Sequence, residues 1–242
     1  MNNTLSPRMI WDDLLALSLN VKLYLLALTV ITAYISMSWG DPWYGTLSTI
    51  SGVLCVVLVA ERKLSNYAWG IINCALYGLL SYKNQFYGDM SLNWFIYLPF
   101  QFIGFYLWSS RIESGNVKVQ ALNTIQILSG IPITVVAIGT LALILKTYGG
   151  ANPYVDSANT VLSIIATILM AKRYREQWLC WILVNVTGIV MWGIAAYQSG
   201  GAGVSGLIMW LAFFVNSVYG YWQWTKQSKP AVEPRRGGGC LI

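Results

Sequence analysis

The 242-residue sequence contains no histidine, and only 10% of it is charged, well under the roughly 25% typical of soluble domains. The first absence removes the side chain that most often moves protons or ligates metals near neutral pH. A glycine-rich phosphate loop with its lysine is also missing, which excludes nucleotide hydrolysis by that route. No Ser/His/Asp, Cys/His or metal-ligand constellation can be assembled, so no enzyme activity, cofactor or metal is expected. Cysteine is scarce, with four in all. Cys55, Cys74 and Cys180 fall inside apolar runs, where they read as small buried side chains rather than disulfide partners. Cys240 lies in the tail Arg235-Arg236-Gly-Gly-Gly-Cys-Leu-Ile, which lacks the four-residue prenylation ending and receives no function.

What is abundant is apolar, at 56% of residues and a mean hydropathy of +0.55. Eight apolar runs can be drawn, at 21–38, 45–60, 67–82, 92–110, 122–145, 155–171, 177–198 and 204–225. Most reach the roughly 17–25 residues a helix needs to cross the hydrocarbon core; the second, third and sixth are short and rich in glycine or polar residues. The fold expected is therefore an all-α integral membrane protein with eight transmembrane helices. The first run starts too late, and lacks the small-residue cleavage site, for an ordinary signal peptide; it reads as a span, with Leu14 to Asn20 as an interfacial lead-in. Thirteen of the fifteen basic residues fall at the termini and in the loops near 62, 115 and 174, leaving Lys83 and Lys146 for the other side. The positive-inside rule makes the basic side cytoplasmic, both termini included. The net charge of +6 is thus a matter of topology, and no nucleic-acid partner is expected.

A tryptophan followed four residues later by asparagine occurs twice, as Trp69-Gly-Ile-Ile-Asn73 and Trp181-Ile-Leu-Val-Asn185, 112 positions apart. Positions i and i+4 share a helix face, so each motif sets a π surface beside an amide. Residues 45–110 can be laid against 155–225 through the same succession of landmarks. A basic turn comes first (Glu61-Arg62-Lys63; Lys172-Arg173-Tyr174-Arg175), then the Trp/Asn helix, then a tyrosine with a glycine six further on (Tyr82 and Gly88; Tyr197 and Gly203). The closing helix ends Gly104-Phe-Tyr-Leu-Trp108 or Gly220-Tyr-Trp-Gln-Trp224. Three-helix units repeat in one orientation only if an odd number of crossings separates them, and the run 122–145 supplies one. The organisation expected is 1–44, an interfacial segment and extra helix; 45–110, a first three-helix repeat; 111–154, a linker helix; 155–225, a second repeat; and 226–242, a cytoplasmic tail. Parallel repeats are a transporter architecture, with the substrate site near the midplane between them.

Asn73, Gln101, Asn185 and Asn216 fall near mid-depth of their runs, where amides can grip a carboxamide or ribose hydroxyls without charge or simply bond helix to helix. Pro99, two residues before Gln101, predicts a kink, because it removes a hydrogen bond and collides with the Phe95 carbonyl. Trp39, Trp43, Trp108, Trp222 and Trp224 stand at span ends and read as an aromatic belt. Trp69, Trp94, Tyr97, Trp181 and Trp192 are candidates to wall a pocket for a flat, cationic ring, with plain packing as the alternative for each. No span carries Asp, Glu, Lys or Arg near its centre, and Asp41, Asp89 and Asp156 read as outer-loop or span-end residues. A proton relay is therefore not expected; a facilitator driven by the concentration gradient is.

The paired Trp-x-x-x-Asn helices, the three-one-three layout and the segment Leu98-Pro99-Phe100-Gln101-Phe102-Ile103-Gly104-Phe105-Tyr106-Leu107-Trp108 resemble the bacterial PnuC nicotinamide riboside transporters over about residues 40–226. The resemblance implies a full-length SWEET-like fold in the bacterial inner membrane. It also implies uptake of nicotinamide riboside, an NAD precursor, by facilitated diffusion, with trapping by a cytoplasmic riboside kinase. Trp69, Asn73, Trp94, Tyr97, Gln101, Trp181, Asn185, Trp192 and Asn216 are the substrate-binding residues expected: aromatic faces for the pyridinium, amides for the carboxamide and ribose. Thiamine, another flat cation, and a sugar taken by a SWEET-like facilitator stay open as alternatives. So does a homo-oligomer.

Overall fold

The structure is a computed structural model that describes residues 6–84, 86–113, 115–147, 153–198, 200 and 204–230; Gly203 and Cys240 lie outside them. A short helix, α1 (Pro7–Leu15), opens with proline in its first turn and the Ser6 hydroxyl accepting from the Met9 amide at 3.2 Å, a standard N-terminal cap. Its Asp13 carboxylate then accepts from the Ser65 amide at 3.0 Å, so the lead-in segment is tied to the body of the protein. The long helices follow as α2 (Leu19–Ser38), α3 (Trp43–Ala60), α4 (Asn66–Lys83), α5 (Tyr87–Ser91), a π-helical turn at Leu92–Tyr97, α6 (Leu98–Ser109), α7 (Thr124–Thr147), α8 (Pro153–Ala171), α9 (Gln177–Gln198) and α10 (Val204–Gln227).

Six of these, α2, α3, α7, α8, α9 and α10, are long and apolar enough to cross a membrane. The molecule is an α-helical membrane protein. The other two expected crossings are helical but depart from the simple pattern. α4 is diluted by Asn66, Asn73 and Lys83, and the helical stretch 87–109 is interrupted by the π turn. That turn answers the kink expected from Pro99, the second residue of α6. A helix widened just upstream gives the ring room where a regular turn would collide with it.

Six helical segments close a ring in which each packs on the next: α3 on α4, α4 on the π turn and α6, α6 on α8, α8 on α9, α9 on α10, and α10 back on α3. Outside the ring, α2 packs on α3 and α7 on α8. Close approach comes from small residues: Gly45, Ser48, Ser51 and Gly52 of α3 are all buried, as membrane helix interfaces favour. Where glycine faces an aromatic ring no side chain would fit. A β-carbon at Gly104 would run into Tyr67, one at Gly220 into Trp178, one at Gly188 into Trp210 and one at Gly206 into Trp192.

The turns after α3 and α8 are built alike. Arg62 (φ 59°) and Arg173 (φ 65°), 111 positions apart, both adopt the left-handed conformation that ends a helix. The Lys63 amide donates to Leu58 O and the Tyr174 amide to Leu169 O; the Asn66 and Gln177 amides donate to Lys63 O and Tyr174 O. Between the two turns runs an extended strap. Two-residue strands β1 (Ile112–Glu113) and β2 (Asn116–Val117) pair antiparallel, and β3 (Gln120–Ala121) pairs parallel with β4 (Lys229–Pro230) beyond α10. The Val117 amide donates to Arg62 O, the Gln120 amide to Arg173 O and the Arg175 amide to Gln120 O. Val117 and Val119 are buried in a core with Tyr67, Trp108, Trp178 and Trp224. Arg62, Lys63, Arg173 and Arg175 thereby gather at one end of the molecule, whereas Lys83 and Lys146 close the far ends of α4 and α7.

Two expectations for the aromatic belt are corrected. Trp39, Trp43 and Trp222 are exposed, but Trp108 and Trp224 are fully buried. Their indoles donate across the ring, Trp108 Nε1 to Met170 O at 3.0 Å and Trp224 Nε1 to Ala60 O at 3.1 Å. A buried indole needs such a partner, and the last turns of α8 and α3 supply it.

Candidate functional site

All six segments of the ring contribute to one enclosed cavity. Counted as the space open to the centre of a water molecule it measures about 110 Å³, room for several waters' worth of ligand at about 10–15 Å³ each. The stretch 87–109 turns a polar stripe toward it, Asp89, Asn93, Tyr97 and Gln101, spaced by four; α8 answers with Asn159, Ser163 and Thr167. α4 adds Asn73 and Tyr77, α9 adds Trp178, Trp181 and Asn185, and α10 adds Trp210, Phe213 and Ser217. Among the described residues Asp89 is the sole charged one in the lining, and no Lys or Arg reaches it.

The amides of the wall are held by specific bonds. Gln101 Nε2 donates to Tyr97 O at 3.2 Å and approaches Cys74 Sγ at 3.7 Å. The Gln101 amide lies where a β-carbon of residue 70 would stand, so Gly70 is the condition for its placement. Asn73 Nδ2 donates to Ser48 O at 3.0 Å, and Asn185 Nδ2 to Ser217 Oγ at 2.9 Å. Gln101 Oε1 and Trp178 Nε1 are left without a protein partner. Tyr97 and Trp181 meet edge to face with ring centroids 5.9 Å apart.

Of the nine residues expected at a site, Asn73, Tyr97, Gln101, Trp181 and Asn185 line the cavity. The other four do not. Trp69 is packed among core side chains near Val57 and Trp108. Trp94 lies outside the cavity, over Gly78, with Nε1 donating to Ala75 O at 3.2 Å. Trp192 is fully buried behind the wall and donates to Tyr77 Oη at 2.7 Å. Asn216 is helix-to-helix glue, with Nδ2 donating to Val56 O at 2.8 Å.

The turn geometry explains why the paired motif misled. The turns equate residue i with i+111, whereas the motif equates i with i+112. One residue is about 100° of rotation on a helix, so Trp69 and Trp181 face different ways. The partner of Trp181 in the turn register is Gly70, and that of Asn185 is Cys74. Asp89 was missed because the start of a helix reads as a loop by hydropathy, and Asn93 was passed over although it lies inside the run 92–110; their spacing of four with Tyr97 and Gln101 was the available signal. Trp178 was hidden by its position as the second residue of α9, at the very end of an apolar run.

Residues 42–226 match the family model described as nicotinamide mononucleotide transporter. The nicotinamide riboside transporter PnuC of Neisseria mucosa is 38% identical over 212 residues, spanning 85% of this chain and 81% of that protein. That of Haemophilus influenzae is 35% identical over 215 residues, 86% and 90% of the two chains. The chain belongs to the PnuC family. A crystal structure of the vitamin B3 transporter PnuC superposes with a TM-score of 0.82 at 36% identity, covering 92% of this chain and 97% of that one. The family thus carries two substrate names, a riboside and its phosphate. Among the described residues, a phosphate dianion entering this cavity would find no Lys or Arg and would face a carboxylate.

Proposed function

We propose that this chain carries nicotinamide riboside across the bacterial inner membrane by facilitated diffusion. The observation that carries the reading is the composition of the central cavity: aromatic faces, uncharged amides and hydroxyls, one carboxylate and no cationic side chain. A pyridinium is favoured by desolvated aromatic faces, worth about 2 kcal/mol. The carboxamide and ribose hydroxyls match Gln101, Asn73, Asn185, Asn159 and Ser163, groups that both donate and accept. Phosphorylation by a cytoplasmic riboside kinase would trap the product, since the phosphate could not return through a wall without Lys or Arg.

The architecture supporting this reading is eight crossings: α2, a first unit of α3, α4 and 87–109, the linker α7, and a second unit of α8, α9 and α10. This corresponds to segments 1–44, 45–110, 111–154, 155–225 and 226–242. The closed ring and the matched turns speak for parallel repeats. α2 stands to α3 as α7 stands to α8, so the first helix and the linker occupy corresponding places. The basic end, where Arg62, Lys63, Arg173 and Arg175 gather, faces the cytoplasm. The substrate residues are Asn73, Tyr97, Gln101, Trp181 and Asn185, joined by Trp178 and Asn159.

Isothermal titration of the purified protein with nicotinamide riboside, nicotinamide mononucleotide, thiamine and glucose tests the proposal. Heat from the riboside, with none from the mononucleotide or glucose, is the expected result. Heat from thiamine alone would keep the carrier and move the substrate; heat from glucose alone would overturn the reading.

A further inference from the structure

Asp89 is costly where it stands. A carboxylate enclosed by protein must be compensated, and the more so in a chain that lives in lipid. Among the described residues no Lys or Arg pairs with it: the ion pairs are Arg8–Asp12 and Arg175–Glu176. Its identified partner is Tyr77, whose hydroxyl donates to Oδ2 at 2.7 Å. That hydroxyl in turn accepts from Trp192 Nε1 at 2.7 Å and Trp210 Nε1 at 2.8 Å. Residues of α4, α9 and α10 are thus committed to fixing one carboxylate at the start of α5. Two indole donors polarise the hydroxyl they hold, and a polarised hydroxyl is a better donor to an anion. Helix chemistry alone does not account for the arrangement. An acid at a helix start is favourable, and α10, the counterpart of this stretch in the ring, is met there by the Asp41 carboxylate, whose Oδ2 accepts from the Ser205 amide at 3.3 Å; Asp89 differs in lining the cavity and in being held by a hydroxyl that two indoles engage.

Asp89 retains accessible surface and lines the same cavity as Tyr97, Trp178, Trp181 and Phe213. We propose that Asp89, oriented by Tyr77, Trp192 and Trp210, is the counter-ion that makes the cavity select a flat monocationic ring over its neutral isostere. The proposal rests on the carrier reading above and adds to it a residue that sets specificity by charge. The aromatic faces hold either form of a ring; the carboxylate distinguishes the charged one, because an opposite charge in a medium of low effective dielectric is attractive over several ångströms.

The test compares nicotinamide riboside with its dihydro form, which has nearly the same size and hydroxyl pattern but a neutral ring, by calorimetry on the full-length protein. The wild type binds the cation more tightly. In Asp89→Asn the Kd for the cation rises about tenfold or more while that for the dihydro form stays within about twofold, so the preference collapses. Tyr77→Phe keeps the ring and removes the orienting hydroxyl. It raises the Kd for the cation alone by about threefold, and it serves if the Asn variant does not fold. Equal weakening of both ligands in these variants, or no change in either, would assign Asp89 to the fold and overturn the proposal while leaving the carrier reading intact. A wild type silent toward both forms would overturn the carrier reading, and the proposal with it.

Discussion

The two halves of the ring follow one backbone plan and present different chemistry to the cavity. The first half, α3, α4 and 87–109, contributes the carboxylate of Asp89, the amides of Asn73, Asn93 and Gln101, and two tyrosines; the second, α8 to α10, also supplies two amides, Asn159 and Asn185, but contributes every tryptophan of the lining and the hydroxyls of Ser163, Thr167 and Ser217. The contrast is sharpest at one equivalent pair. Where the second half places Trp181, the first places Gly70, and the vacated space is filled by the Gln101 amide. A symmetric scaffold has been given an asymmetric interior. A ligand with a charged planar end and a hydroxylated end needs that, because two identical walls could not read both.

The largest expected effect comes from erasing the Gly70 contrast. Gly70→Ala puts a methyl into the Gln101 amide, with Cys55 close behind at 3.2 Å. Overpacking at the binding wall should lower riboside uptake about 100-fold, toward background, in proteoliposomes given labelled substrate from outside; near-normal uptake would show that Gln101 has room to move. Next comes the motif pair. Trp181→Ala removes a lining face and should raise the riboside Kd about 30-fold, for roughly 2 kcal/mol of cation–π attraction. Trp69→Ala should leave Kd within about twofold while costing about 3 kcal/mol of stability, read as a fall in melting temperature. If both variants lose affinity equally, the 112-residue register is the functional one after all.

The amides should produce smaller changes. Asn73→Ala and Asn185→Ala each remove a wall group, and a rise in Kd of about five- to tenfold is expected for a neutral hydrogen bond. Asn216→Leu is the control from behind the wall. Losing the bond to Val56 O should cost about 0.6 kcal/mol of stability, the usual worth of an interhelical polar bond in a bilayer, with Kd unchanged by titration.

Much of this was legible in the sequence, and the failures have common physical causes. Hydropathy found the helices because lipid imposes length and composition on whatever crosses it, and α4 appeared despite its polar residues. Gln101, Tyr97, Asn73, Trp181 and Asn185 were found by depth and by amide or aromatic character. Facing was not legible, since it depends on where a helix starts, and that is set by the left-handed turn at Arg62 or Arg173 rather than by the motif that follows. Trp108 and Trp224 look like belt residues by position alone. Only the approach of α8 and α3 from across the ring, invisible in the local sequence, makes them core. Asp89 stood too near a helix start to be read as interior, and the π turn that carries its stripe inward has no simple sequence signature.

The strap between residues 112 and 121 works as an unequal clasp. It is sewn to the second half by two backbone bonds at Gln120, with β4 laid alongside. To the Arg62 turn of the first half its backbone is tied by the Val117 amide and by Lys63 Nζ, which donates to Gly115 O at 3.4 Å. Should the halves part at the basic end, the seam that yields first is the one at Arg62, and the strap travels with the second half. The linker peptide then has a direction: it stays with one jaw, and the resistance to opening at the other falls on those two hydrogen bonds and on the buried Val117 and Val119.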